Sequence, residues 1–192
     1  GGGDGGGAAP VPAKPVITVD APDNTRDDTP TITGHTNAPA GSIVTVVVTD
    51  SAGHVQTMTA TVQPGGSYSV DVPVGLPDGG YTATATVKDP AGNTGTATDP
   101  GSVDTTAPVI TVNAPDNTTD KTPTITGTTD APVGSTVTVV VTDSAGGTQT
   151  VTTTVQPGGT YSVDVPTALP EGGYTATATV KDPAGNTGTA TD

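Results

Sequence analysis

The segment Pro15-Val-Ile-Thr-Val-Asp-Ala-Pro-Asp-Asn24 returns as Pro108-Val-Ile-Thr-Val-Asn-Ala-Pro-Asp-Asn117, and the offset of 93 residues holds without a gap to Asp99 and Asp192. Of the 85 positions that can be compared, 15 differ. A gapless repeat of this length means two copies of one domain in a single register. The boundaries follow: a lead-in over 1–14, a first domain over 15–99, a linker over 100–107 and a second domain over 108–192. Each copy is large enough to hold its own core.

That core must be built from small side chains. The chain has no Trp, Phe or Cys, one Met and four Tyr, so burial falls to Val, Ile, Leu, Ala and the methyl groups of Thr. Without cysteine there are no disulfides, no CxxC redox chemistry and no thiolate metal site. No apolar run is long enough to cross a bilayer as a helix, and no charged-then-apolar leader begins the chain. The first residue is Gly rather than Met, which reads as an excised piece. Gly1 to Ala9 has nothing to bury and is expected to be a disordered tether, stiffening over Pro10 to Pro15.

The formal net charge is −14, from 19 acidic and 5 basic residues. Such a field disfavours nucleic acid and anionic membranes and favours cations.

From Pro15 onward, β-branched residues alternate with Thr, Ser or Ala, and Gly, Pro, Asn or Asp punctuate the breaks. In the first copy this predicts seven strands: A 15–20, B 30–35, C 42–50, D 55–62, E 67–72, F 80–88 and G 93–98. Seven short strands at this spacing predict an all-β fold, two tandem immunoglobulin-like Greek-key sandwiches. Alternation assigns the faces. Val44, Val46 and Val48 point inward, as do Tyr68, Val70 and Val72, and Tyr81, Ala83, Ala85 and Val87. Ile43, which becomes Thr136 in the copy, marks the wet face. Leu76-Pro-Asp-Gly-Gly-Tyr81 resembles a tyrosine corner, a structural device in which the Tyr hydroxyl ties the E–F crossing to nearby backbone.

Thr31-Ile-Thr-Gly34, Ala40-Gly-Ser-Ile-Val-Thr-Val46, Gly66-Ser-Tyr-Ser-Val70, Leu76-Pro-Asp-Gly-Gly-Tyr-Thr-Ala-Thr-Ala-Thr86 and Asp89-Pro-Ala-Gly-Asn93 together resemble the bacterial Ig-like repeats of giant RTX-like surface adhesins. The likeness runs from Pro15 to Asp192. It implies a monomeric, non-catalytic extender, exported by type I secretion to the bacterial cell surface. It further implies flanking repeats of the same chain, stiffening by calcium, and an adhesive tip held away from the cell in biofilms.

The residues themselves bear on calcium. If the strands run alternately, the A–B loop (Asp23, Asn24, Asp27, Asp28), the C–D turn (Asp50) and the E–F loop (Asp78) lie where the chain leaves the first domain. The linker acids Asp99 and Asp104 begin there. The B–C loop (Asp130) and F–G loop (Asp182, Asn186) of the second domain are expected to face them. Calcium takes six to eight hard oxygen ligands in tolerant geometry, which Asp side chains and loop carbonyls supply. Transition metals prefer imidazole or thiol, and only His35 and His54 exist, neither recurring in the copy. The expected metal ligands are therefore Asp23, Asp27, Asp50, Asp99, Asp104, Asp130 and Asp182. The competing explanation is turn chemistry, since Asp and Asn are ordinary turn residues.

No Ser-His-Asp set repeats, no phosphate-cradling loop carries a Lys, and no zinc spacing occurs, so no enzyme is expected. The other class left open is a binding module that recognises a carbohydrate or host protein through its loops. The shortage of Trp, Tyr and Arg anchors argues against it.

Overall fold

The computed structural model describes residues 13–192 and divides into two compact units, with Val103 the last residue of the first and Asp104 the first of the second. The Gly-rich lead-in, apart from residues 13 and 14, lies outside the described residues.

All regular structure among the described residues is strand. In the first unit β1 spans Thr31–His35, β2 Ile43–Thr49, β3 Val55–Thr61, β4 Ser67–Asp71, β5 Gly79–Lys88 and β6 Thr94–Val103. In the second, β7 spans Thr124–Thr128, β8 Thr136–Thr142, β9 Thr148–Thr154, β10 Thr160–Asp164, β11 Thr175–Lys181 and β12 Thr187–Thr191. Each unit pairs a two-stranded sheet, β1-β4 or β7-β10, with a four-stranded one in the order β3-β2-β5-β6 or β9-β8-β11-β12. All pairs of these strands are antiparallel. This is an immunoglobulin-like sandwich, with β1 to β6 standing where strands B to G were expected.

The predicted strand A is not a continuous strand. It reaches β1 and the residue after it only through isolated bridges, Ile17 to Thr36 and Asp20 to Thr33. Backbone and side-chain bonds share the pairing: the Thr18 amide donates to His35 O at 2.8 Å, the His35 amide to Thr18 Oγ1 at 2.9 Å, and the Val16 amide to Asn37 Oδ1 at 2.8 Å. Strand G departs in the other direction. Expected to stop at 98, β6 continues to Val103, and residues 100–103, read as linker, pair with Gly79 to Thr82.

The faces fall as alternation requires. Val44, Val46 and Val48 are fully buried beside Ala83, Ala85 and Val87, whereas Ile43 is 54% exposed. Outward, threonines pair across strands, Thr84 with Thr98 at 3.1 Å and Thr86 with Thr96 at 3.3 Å. Tyrosines supply the volume that the missing aromatics do not. Tyr68 lies against its cross-strand partner Gly34 and donates its hydroxyl to Thr18 O at 2.5 Å. A Cβ at Gly34 would overlap both the Tyr68 ring and the Thr18 carbonyl, so the position admits only glycine. Gly127 and Tyr161 repeat the arrangement.

Candidate functional site

Each carboxylate of interest begins as a turn residue, and the turn decides what remains of its bonding capacity. Asp50 closes the β2–β3 turn. Its Oδ1 accepts from the amides of Ala52 at 2.9 Å and His54 at 3.0 Å, and the His54 imidazole stands 3.4 Å from Oδ2. Desolvation acts to raise the Asp50 carboxyl, but the amide bonds and the His54 ring outweigh it and hold the group below the usual carboxylate range. Asp143 makes the same turn in the second unit without a histidine.

Asp27 accepts from the amide and hydroxyl of Thr29. Asp99 lies in β6 opposite Ala83 rather than in a free linker, and its Oδ2 accepts from the Ala21 amide at 2.8 Å. Asp192 does the same for Ala114 at 2.7 Å. These two acids fasten the last strand of each unit to its first segment. The carboxylates of Asp23, Asp20, Asp99 and Asp27 act electrostatically on the Tyr81 phenol. Burial first, and then these negative charges, push its pKa far above the ordinary value. The same end of the unit is closed by bonds from Leu76 N to Asp28 O and from Ser51 Oγ to Asp78 O.

In the second unit Asp130 Oδ1 accepts from the Val109 amide at 2.7 Å. Asp104 and Asp182 come together. Asp182 carries the β11–β12 turn, taking the Asn186 amide on Oδ1 and the Asn186 Nδ2 on Oδ2 at 3.0 Å. Asn186 Nδ2 also donates to Asp104 O at 2.7 Å, and Asp104 Oδ1 accepts from the Thr106 amide. Desolvation works to raise the Asp182 carboxyl, but the Asn186 bonds and a side-chain hydrogen bond with Asp104 hold it low. Asp89 and Asn93 repeat the turn in the first unit, where the Asn93 side chain is the main cause of a lowered Asp89 pKa.

The sequence-predicted ligands thus separate into an Asp104–Asp182 pair in the second unit, Asp23, Asp27 and Asp99 acting on Tyr81, and Asp50 and Asp130 each bound to local backbone. No group of three or more His, Cys, Asp or Glu side chains able to hold a metal occurs among the described residues. The Asp104–Asp182 donors are hard oxygens, suited to calcium rather than to a transition metal, but two carboxylates fall well short of six to eight ligands. Carbonyls and water would have to supply the others. Asn186, which is not among the expected ligands, joins the pair through the Asp-Pro-Ala-Gly-Asn spacing, which returns its side chain onto the aspartate four residues back.

A family model described as bacterial Ig-like domain matches residues 18–105 and again 111–192. No curated protein matches the chain. Among solved structures, a tetra-tandem repeat in the extending region of a large adhesion protein is 36% identical with a TM-score of 0.46, over 93% of this chain and 47% of that one. A structure concerned with host cell surface retention of a bacterial ice-binding adhesin is 26% identical with a TM-score of 0.47, over 94% of this chain and 64% of that one. A calcium-stabilized adhesin of an Antarctic bacterium that binds ice is 29% identical with a TM-score of 0.45, over 92% and 47%. The chain spans less than two thirds of each of these. With every TM-score below 0.5, membership of a family rests on the sequence match.

Proposed function

The chain belongs to the bacterial Ig-like domain family, a structural and non-enzymatic domain, and from that premise we propose that it is a spacer, two repeats of the extender segment of a large bacterial surface adhesin. One observation carries the reading. β6 holds the chain in the first sheet as far as Val103, and the next residue, Asp104, is already bonded to Asn186 of the second unit. The residues on either side of that boundary are thus each bonded within their own unit, and the same unit recurs in tandem, as a spacer built of repeats requires. The inward-facing tyrosines favour the same reading, because they leave few anchors for recognition.

In this proposal the full protein is secreted by a type I route and stands on the cell surface, where the extender projects an adhesive tip for attachment and biofilm formation. Calcium belongs to it as well. Asp104 and Asp182 would hold the ion, with Asp23, Asp27, Asp50, Asp99 and Asp130 as the further candidate acids. The ion would neutralise carboxylates whose mutual repulsion favours splaying. Calorimetric titration of the chelator-treated protein with calcium tests this part. Saturable binding at about 10⁻⁴ to 10⁻³ M, the range of extracellular modules, is expected. No heat up to about 10 mM would reduce the acidic loops to turns and solubility.

A further inference from the structure

In the first unit the segment before β1 and the strand β6 lie side by side and run the same way. A Cβ at Gly95 would overlap Pro15 O, and one at Gly101 would overlap Pro22 O, so the two backbones approach closely at both points. Thr25 and Val103 form a parallel bridge, whereas all the pairs of named strands in this unit are antiparallel. Four hydrogen bonds cross the seam. The Ala21 amide donates to Asp99 Oδ2 at 2.8 Å, Asn24 N to Ser102 Oγ at 2.7 Å, Thr25 N to Ser102 O at 3.1 Å, and Ser102 N to Pro22 O at 3.1 Å. The Tyr81 hydroxyl also reaches Pro22 O, at 2.9 Å, and fixes the same loop to β5.

The parallel direction decides how such a seam fails under tension. A pull along the chain enters the unit before Pro15 and leaves it after Val103. It draws the first segment backward along its axis and β6 forward, so the crossing bonds are strained together and must break together. An antiparallel pair pulled at its open ends parts one bond at a time and yields at a lower load. Burial adds to the resistance. Ala21 is 1% exposed and Val103 2%, so sliding would bring both out of the core into water.

We propose that the seam between residues 21–25 and 99–103 is a shear clamp, and that bearing tension along the chain is a further function of this unit. The proposal rests on the spacer reading, because only a chain held at both ends is pulled. Asp99 and Ser102 are the two residues whose side chains cross the seam; the other bonds are made by backbone. While the clamp holds, load passes from the first segment to β6 and the sheets behind them are spared.

The chain has no cysteine, so Ala13→Cys and Ala107→Cys give two unique attachment points, and handles on them load the first unit within the full chain. Its lifetime at one constant load is read in optical tweezers. Asp99→Ala with Ser102→Ala removes two crossing bonds and should shorten that lifetime at least about tenfold, since forced unfolding follows the barrier that these bonds set. Asp99→Asn alone keeps an oxygen for the Ala21 amide and should stay close to the parent. Met58→Ala empties buried volume in β3, at the opposite edge of the four-stranded sheet from β6. It should lower stability in urea yet change the lifetime less than about twofold, because its contacts are intact when the clamp parts. Equal lifetimes in the parent and the Asp99–Ser102 variant would overturn the proposal. So would a lifetime that simply follows urea stability across all the variants. A loss confined to Asn37→Ala, which frees the Val16 amide, would put the load on the loop after β1 and overturn it as well. The spacer reading fails separately, by scattering, which registers the extension of the chain and not the strength of any bond.

Discussion

The hydroxyl of Tyr81 donates to the carbonyl of Pro22 at 2.9 Å, joining the start of β5 to a loop 59 residues earlier, and Tyr174 bonds Pro115 in the same way at 2.7 Å. The sequence motif predicted a tie to nearby backbone; the tie instead crosses the sandwich to the segment before β1. Pro22 O also accepts from Ser102 N, so removing the Tyr81 hydroxyl does not orphan the carbonyl. Tyr81→Phe should therefore lower the stability of the first unit by only about 1 kcal/mol in urea unfolding, the net value of one hydrogen bond.

Gly34→Ala should do much more. Its Cβ would collide with the Thr18 carbonyl and the Tyr68 ring, both held in place by the core. Overpacking of this kind costs roughly 1–3 kcal/mol or more. Thermal unfolding should show the first unit destabilised and the second unchanged, with Gly127→Ala producing the reverse.

Alkali should unfold the protein through its tyrosines. Burial pushes the Tyr68 and Tyr161 phenols up to about 12, from an ordinary value of 10.0. Above pH 10 the unfolded chain ionises these groups while the folded chain keeps them protonated, so the folded state holds more protons and loses stability as pH rises. Melting temperatures should be steady from neutrality to about pH 10 and fall steeply between about 10 and 12. Tyr68→Phe with Tyr161→Phe should flatten that decline.

Asp182 has the opposite sign. Its carboxyl is held low in the folded state, so its contribution is complete above the ordinary value of 3.8 and disappears as pH falls through the lowered folded value. Asp182→Asn should therefore lower stability near neutrality and remove this part of its decline below the ordinary carboxylate value. It should also weaken calcium binding in calorimetry several-fold, as should Asp104→Asn. An isotherm unchanged in both variants would remove the pair from the proposed site.

Strand identity and facing were legible because β-branched residues alternate without interruption, and Val44, Val46, Val48 and Ile43 lie as that pattern requires. Strand A was not legible as a discontinuous element, because Thr18 and Asn37 side chains supply part of its pairing and look like any other polar residues. The continuation of β6 was hidden by its composition. Pro100 and Gly101 read as strand breakers, yet β6 is an edge strand, where proline is tolerated, and glycine is what the Tyr81 ring demands. For the same reason Asp99 read as a free linker acid when it is a strand residue fastening Ala21. The acidic loops were visible as a composition, but which carboxylates meet depends on turns such as Asp182-Pro-Ala-Gly-Asn186, whose side-chain bonds no alternation pattern encodes.

The spacer reading is tested most directly by small-angle scattering of the two-unit chain in calcium and in chelator. A compact globule of this length would have a radius of gyration of about 16 Å. The account predicts a value well above that in both conditions, with a narrower distribution of distances when calcium is present. A radius near about 16 Å would mean that the two units fold against each other, and would contradict a projecting spacer.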